Sequence, residues 1–208
     1  MQNFVIDTNI LFNLEEIKDL GSNTTELLSE LNPLIEALSK NKQAEFFIPH
    51  SVYDEINSFF EQQPIELKNF FTLVNIKSPE REKIMIPGNF LHELINDIRQ
   101  RTFRALKIAE EQIRQSYETA LNRKNNFKNS KEKELFFAPF INKLRERFRK
   151  AIRTNFLDSP TDVDVLLLAK ELNAYLTTTD EGVLIWAKKL GVKTIPAVDF
   201  KAKLLSLM

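Results

Sequence analysis

The stretch from residue 4 to residue 9 reads Phe-Val-Ile-Asp-Thr-Asn, a short apolar run that ends in an acid, Asp7. The apolar run predicts a short buried strand at Phe4–Ile6. Acids also recur at the ends of later apolar segments, as Asp158, Asp162, Asp164 and Asp180. An open α/β sheet binds its ligands at the carboxyl ends of its strands, so these acids are candidates for one shared crevice.

Each acid taken singly also has a local explanation. An Asp after a strand is commonly a helix N-cap or a turn residue, because its short carboxylate accepts a hydrogen bond from a neighbouring backbone N–H. For the whole set this explanation weakens, since several unpaired carboxylates in one crevice repel one another unless a cation neutralises them. The set therefore predicts a metal-dependent nuclease.

The composition narrows the class of protein. At 208 residues the chain can form one ordinary domain with an insertion. It has no cysteine, which excludes disulfides, thiolate metal sites and cysteine nucleophiles, and its two histidines, His50 and His92, argue against a histidine-rich zinc site. No apolar run approaches the roughly 20 residues that span a bilayer, and no signal-peptide pattern precedes the first strand, so we expect a soluble cytoplasmic protein.

The formal net charge of zero is divided unevenly along the chain. From His92 to Thr154 there are 16 Lys or Arg and 8 Asp or Glu, so that stretch carries +8 and the remainder −8. This division predicts that one part of the molecule binds a polyanion while the other carries the acids that could hold a metal.

Alternating strands and helices predict a mainly parallel sheet with helices on both faces. Ser51, followed by Asp54, resembles a helix N-cap with a capping box. The predicted strands after the first are Phe46–Ile48, Val74–Ile76, Tyr175–Thr178 and Lys193–Ile195. The predicted helices are Thr25–Leu38, Ser51 towards Phe60, Thr161–Leu172 and Glu181–Leu190.

An inserted helical hairpin interrupts this alternation. Two long helical patterns, Phe90–Leu121 and Leu135–Asn155, are separated by a solvated loop at Arg123–Lys133 that is rich in Asn, Lys and Ser. We therefore expect an α/β domain formed by residues 1–88 and 156–208, with residues 89–155 inserted as an antiparallel helical hairpin.

The acids suit a magnesium or manganese site, because these ions prefer hard oxygen ligands. Asp7 and Asp180 can lie side by side if their strands are neighbours. Glu55, one turn into the second helix, either reaches the crevice or merely favours the positive helix N-terminus. Thr8, Asn9 and Thr178 either orient the ligands or satisfy backbone groups at the strand ends. The chemistry that such a site favours is hydrolysis of a phosphodiester.

Several segments resemble known nucleases. Residues 5–9 (VIDTN), 48–55 (IPHSVYDE) and 178–182 (TTDEG) resemble PIN domains, a family of metal-dependent ribonucleases. Residues 157–159 (LDS), 162–172 (DVDVLLLAKEL) and 186–191 (WAKKLG), with residues 76–79 (IKSP) and the long insertion, resemble the minimal protein-only ribonuclease P group (HARP). The likeness covers nearly the whole chain.

This resemblance implies a PIN-like fold and cleavage of precursor tRNA at its 5′ end, without an RNA subunit, leaving a 5′-phosphate. It also implies large homo-oligomers, assembled partly through the hairpin. The catalytic and metal-binding acids would be Asp7, Asp158, Asp162 and Asp180, with Asp164 and Glu55 as further metal ligands. Because Arg supplies forked donors for phosphate, the RNA-binding candidates on the basic hairpin are Arg145, Arg149, Arg153 and Lys143.

Three other interpretations stay open at the level of sequence. A toxin-type PIN endonuclease would cut other RNAs, although such toxins are usually shorter and lack a long basic insertion. An Asp-nucleophile phosphatase normally needs a second Asp two residues after the first, where this chain has Asn9. A non-catalytic RNA-binding assembly protein would keep the fold without metal-dependent turnover.

Overall fold

The computed structural model describes residues 1–12, 23–123 and 126–208. The chain divides into two compact units, one formed by Met1–Pro87 with Asn155–Met208 and the other by Gly88–Thr154. The helices, in chain order, are α1 (Thr8–Phe12), α2 (Thr24–Lys40), α3 (His50–Ser58), α4 (Ile65–Leu73), α5 (Gly88–Leu121), α6 (Ser130–Arg153), α7 (Pro160–Glu171), α8 (Glu181–Leu190) and α9 (Ala197–Leu205).

A parallel sheet forms the centre of the first unit. Within the ranges that the structure describes it has five strands in the order β3-β2-β1-β4-β5. Val5 lies opposite Phe47 on one side and Leu176 on the other, so β1 is central and the strand order reverses there. The strands are β1 (Gln2–Ile6), β2 (Ala44–Ile48), β3 (Asn75–Ile76), β4 (Tyr175–Thr178) and β5 (Lys193–Pro196). The predicted α/β class, a parallel sheet flanked by helices, is confirmed.

Consecutive apolar side chains on β1 and β2 are buried, as in a parallel sheet that is covered by helices on both faces. Phe4 is fully buried and stacks on Phe46 with the ring centroids 5.4 Å apart. Helix α2 packs its apolar stripe towards β2, and α3, α7 and α8 form a separate group of helices. Burying each apolar side chain of this stripe contributes roughly 1.5–3 kcal/mol to folding, so the stripe as a whole outweighs the cost of about 3 kcal/mol for Pro33 inside the helix. The fully buried members of the stripe are Leu27, Leu28, Leu31, Ile35 and Leu38.

The second unit is an antiparallel pair of helices, α5 and α6. Arg101 on α5 donates from Nη1 to the carbonyl oxygens of Ile152 (3.0 Å) and Thr154 (2.7 Å), at the end of α6. Glu111 pairs with Arg147 at 2.8 Å, so partners later on α5 lie earlier on α6. Helix α6 has no buried residue in the described part of the chain. Polar contacts therefore join α5 and α6 at several points, and many large apolar side chains of the pair are exposed.

The predicted capping box at Ser51 and Asp54 is wrong. Helix α3 begins at His50 with Pro49 at the N-cap, and no side chain caps it. Ser51 therefore lies inside the first turn, and its hydroxyl donates instead to Asp164 Oδ2 at 2.9 Å. A distant carboxylate is a stronger acceptor than a local backbone group, and sequence spacing alone does not reveal it.

Other helix boundaries in the structure differ from the predicted ones, because some helical segments are polar or too short to show a clear apolar periodicity. Helix α6 begins at Ser130, with Asn129 accepting a hydrogen bond from the Glu132 N–H, so the predicted loop at Arg123–Lys133 is too long. Residues 124–125 of that loop lie outside the described residues. The periodicity of the sequence also fails to indicate the short helices α1, α4 and α9. No helix in the described ranges has both the length and the apolar character that crossing a membrane requires.

Candidate active site

Asp7 lies at the carboxyl end of the central strand, where the strand order reverses. Its backbone N–H donates to Thr177 O at 3.1 Å, which ties the end of β1 to β4. Its Oδ2 accepts hydrogen bonds from Thr178 Oγ1 at 2.6 Å and from Asn9 Nδ2 at 3.0 Å. Asp7 is only 2% exposed, so its carboxylate is held in one place away from bulk water.

Burial raises the pKa of the Asp7 carboxyl from its ordinary value of 3.8 to about 6. The hydrogen bonds from Thr178 and Asn9 oppose this shift, because they stabilise the charged form, whereas the negative charge of Asp162 adds to it. Burial likewise raises the pKa of Asp162, with further contributions from the charges of Asp180 and Asp158. Asp162 is therefore close enough to Asp7, Asp158 and Asp180 for its charge to interact with theirs.

The start of α7 positions Asp162 through a capping box. Ser159 is the N-cap and its Oγ accepts from the Asp162 N–H, while Asp162 Oδ2 accepts from the backbone N–H groups of Ser159 and Asp158, each at 3.1 Å. Asp158 itself is exposed and immediately precedes this cap. The local capping role and the role in a shared crevice are therefore compatible for Asp162.

Thr178 connects Asp7 to Asp180. Its hydroxyl donates to Asp7 and accepts from the Asp180 N–H at 3.0 Å. Asp180 is the N-cap of α8, with Oδ1 accepting from Val183 N–H at 2.9 Å. The condition for Asp7 and Asp180 to lie side by side, that their strands are neighbours, is met because β1 and β4 are hydrogen-bonded to each other.

Gly182 allows the chain to pass closely behind Asp180. A Cβ atom at this position would lie 2.6 Å from the carbonyl oxygen of Phe156 and 2.9 Å from Asp180 Oδ1. Phe156 is two residues before Asp158, so the close packing of Gly182 against Phe156 also constrains the position of the backbone that leads to Asp158. The sequence indicates this glycine only as part of a motif and does not predict its packing.

The two less central acids have protein partners. Glu55 on α3 is half-buried and its Oε2 accepts from Thr8 Oγ1 at 3.0 Å, so α3 does bring it next to the end of β1. Asp164 accepts from Arg81 through two oxygens, with Nε to Oδ1 at 2.9 Å and Nη2 to Oδ2 at 2.8 Å, and also from Ser51. A metal at Asp164 would have to compete with Arg81. The role of Asp164 as a metal ligand stays a prediction.

The donor chemistry of these acids fits a hydrated divalent cation. Among residues 1–12, 23–123 and 126–208, no group of three or more His, Cys, Asp or Glu side chains is arranged so that it could hold a metal ion by itself. Magnesium keeps several of its waters and needs only one or two carboxylates, and the buried charge of Asp7 is one that a cation would stabilise. The roles of Asp7, Asp158, Asp162 and Asp180 as metal ligands stay predictions.

The predicted RNA-binding residues all lie on α6, in the second unit. Lys143, Arg145, Arg149 and Arg153 are exposed. Arg81, which follows β3, is a further candidate functional residue that the sequence patterns do not indicate. Its only signal in the sequence is that no other arginine occurs in residues 1–87 or 155–208.

Comparisons with known proteins identify ribonucleases that are similar to this chain over nearly its whole length. The PINc domain ribonuclease family matches the chain over residues 3–208. A relative from Thermodesulfovibrio yellowstonii named RNA-free ribonuclease P is 34% identical over 202 residues, covering 97% of this chain and 93% of the relative. Relatives of the same name from Pyrococcus furiosus and Nitrosococcus oceani are 33% and 35% identical, covering 97% and 94% of this chain and 92% and 90% of their own lengths.

The similarity includes the inserted hairpin as well as the acid-bearing unit, since the matched range extends across both. The resemblance read from the sequence is confirmed by these matches. The chain belongs to the PINc domain ribonuclease family and, within it, to the RNA-free ribonuclease P family.

Proposed function

We propose that this endoribonuclease removes the 5′ leader of precursor tRNA by metal-dependent hydrolysis, without an RNA subunit, and leaves a 5′-phosphate on the mature tRNA. The observation that carries the proposal is the end-to-end likeness to relatives named RNA-free ribonuclease P, over 94–97% of this chain in the three comparisons given. A toxin-like PIN nuclease would not need to share the basic hairpin. The phosphatase interpretation has no support from these relatives.

The chain's own residues have distinct parts in this reaction. Asp7, Asp162 and Asp180 would hold a Mg²⁺ or Mn²⁺ ion, with Asp158 at the edge of the crevice, and Thr178 and Asn9 keep the Asp7 carboxylate oriented. When bound, the cation neutralises charge on the phosphate and makes water a better nucleophile. Glu55, held by Thr8, is a further ligand candidate on the β2 side. The acids alone would repel the phosphate, so cleavage requires the ion.

Cleavage of a defined substrate tests this proposal. Purified protein with precursor tRNA and Mg²⁺ should yield one product that begins at the mature 5′ nucleotide and is degraded by an exonuclease specific for 5′-phosphate. EDTA should abolish cleavage, and Mg²⁺ or Mn²⁺ in excess should restore it. Metal-dependent cutting at other positions would indicate a toxin-like nuclease, while binding without turnover would indicate a non-catalytic RNA-binding protein.

We further propose that Lys143, Arg145, Arg149 and Arg153 bind the tRNA backbone. Arg145 and Arg149 are one turn apart on α6 and exposed, which places their guanidinium groups on the same helix face. The inserted stretch also carries most of the positive charge of the chain. Forked donors at this spacing suit successive phosphates.

Replacing Arg145 and Arg149 with Ala should weaken precursor binding by about tenfold for each arginine, with little change in kcat. The slope of log Kd against log salt concentration should decrease by about one for each arginine that is replaced, because each binds one phosphate. Lys131→Ala, at the exposed start of α6, is the matched control. An unchanged salt slope would contradict the assignment, and a constant mass in light scattering would show that assembly is intact.

Homo-oligomerisation through the hairpin is part of the same proposal. Leu106, Ile113 and Tyr117 on α5 are 55%, 65% and 63% exposed and lie at helical spacing along one side. Exposed apolar patches of this kind mark interaction sites. The lack of buried residues on α6, within the described ranges, also favours a hairpin that gains its core from another copy.

A further inference from the structure

The segment after β3 is fastened to α7 by a set of polar contacts. Lys77 Nζ pairs with Glu171 Oε1 at 2.5 Å, and the Glu80 N–H donates to Glu171 Oε2 at 2.7 Å. Arg81, the next residue, forms the forked pair with Asp164. The backbone that carries Arg81 is therefore held in place at two points along α7.

Arg81 lies at the same edge of the sheet as the catalytic acids. Ile48 and Ile76 are paired at the carboxyl ends of β2 and β3, and Ser51 follows shortly after β2. Asp164 contacts both Ser51 and Arg81, so it joins the two segments that leave this edge. Asp162, a candidate metal ligand, is two residues before Asp164 on the same helix.

The two partners of this ion pair differ sharply in exposure. The Asp164 side chain is 6% exposed, whereas that of Arg81 is 63% exposed. Asp164 thus uses both oxygens to orient the guanidinium, which still presents donors to solvent. A fork held by Nε and Nη2 fixes the direction of the remaining nitrogen, Nη1, for which the structure gives no partner within the described residues.

The choice of residue type favours a phosphate ligand. Nine of the ten arginines lie between residues 88 and 154, and Arg81 is the one that occurs in the acid-bearing unit. A lysine would suffice for an ordinary surface ion pair, but a guanidinium can bind a carboxylate with one edge and a phosphate with another. An RNA strand that reaches the acids needs positive charge beside them.

Building on the proposed function, we propose that Arg81 binds a backbone phosphate of the RNA next to the cleaved bond. Asp164 and Ser51 are then positioning residues, which hold the guanidinium at the right angle and do not touch the RNA. On this assignment Asp164 acts through Arg81 and not as a metal ligand.

Binding measured without turnover tests the assignment of Arg81. In EDTA, Arg81→Ala should raise the Kd for precursor tRNA about tenfold and lower the salt slope by about one, whereas Arg81→Lys should keep the slope and lose part of the affinity. Under cleavage conditions the Arg81→Ala variant should raise KM more than it lowers kcat. Lys40→Ala is the matched control, because Lys40 is 71% exposed, pairs with Glu36 and precedes the amino end of β2.

A second variant separates binding from simple support of the fold. Asp164→Asn keeps the Arg81 charge but weakens the fork, so it should raise the Kd moderately, and adding Arg81→Ala to it should cost less than Arg81→Ala alone costs in the wild type. An Arg81→Ala protein with lower thermal stability but an unchanged Kd and salt slope would overturn the inference while leaving the proposed function intact. A wild-type protein that neither binds nor cleaves precursor tRNA would overturn both.

Discussion

Asp7→Asn should lower kcat for precursor tRNA by about 10³-fold while leaving the protein folded. The substitution keeps the size of the side chain and an oxygen that can accept from Thr178, so the packing around β1 and β4 is preserved. It removes the buried charge that would hold the cation. A loss smaller than about tenfold would mean that Asp7 is not part of the catalytic site.

The same substitution should stabilise the metal-free protein at high pH. The folded-state pKa of Asp7 is raised to about 6 from 3.8, so burial favours the protonated form. Protonated Asp7 contributes up to about 3 kcal/mol to the free energy of unfolding. This contribution is complete below pH 4 and is lost as the pH rises through about 6. Asp7→Asn does not ionise, and so it should lack this loss.

Thermal unfolding in EDTA, measured from pH 4 to pH 8, checks this expectation. The Tm of Asp7→Asn should exceed that of the wild type by roughly 6–12 °C at pH 8 and should be close to it at pH 4. Mg²⁺ should raise the Tm of the wild type at pH 8 more than that of the variant, since only the wild type binds the ion fully. Equal pH profiles for the two proteins would show that the Asp7 carboxylate is not destabilised by burial.

Gly182→Ala should impair both the stability and the activity of the first unit. The added Cβ would lie 2.6 Å and 2.8 Å from the backbone oxygen and nitrogen of Phe156, and neither can move without shifting the chain that leads to Asp158. It would also press on Asp180 Oδ1. We expect a loss of about 2 kcal/mol from overpacking and about a 10²-fold fall in kcat from displaced acids.

Helix propensity gives the opposite expectation, which makes this substitution a sharp test. Alanine is favoured over glycine inside a helix by about 1 kcal/mol, so a position without close neighbours should gain stability. Gly88→Ala is the matched control, because a Cβ there meets no atom within 4 Å. Urea unfolding and cleavage rates should separate the two variants, and a Gly182→Ala protein that is as active as Gly88→Ala would contradict the packing argument.

The positions of the individual acids were predictable from the sequence, but most of their hydrogen bonds were not. The positions of Asp7 and Asp180 at strand ends followed from apolar runs that are visible locally. Asp162 was correctly placed at the first turn of a helix, but its capping box was not predicted, and the box predicted at Ser51 and Asp54 does not exist. Polar residues that are three positions apart can form several different local hydrogen bonds. The packing of segments that are distant in the sequence decides which of these bonds forms.

The sequence by itself determined the strands and long helices, the acids that follow the strands, and the concentration of positive charge in the insertion. These properties depend on hydrophobic periodicity and composition, which act over a few residues. Only the tertiary structure decided that Thr178 joins Asp7 to Asp180, that Gly182 touches Phe156, and that Arg81 is held by Asp164. Ser51 and Asp164, for example, are 113 positions apart in the chain, and their contact exists because α3 and α7 pack together beside the sheet. Burial raises the pKa of Asp7 for the same reason, since water is excluded by residues from both β1 and β4.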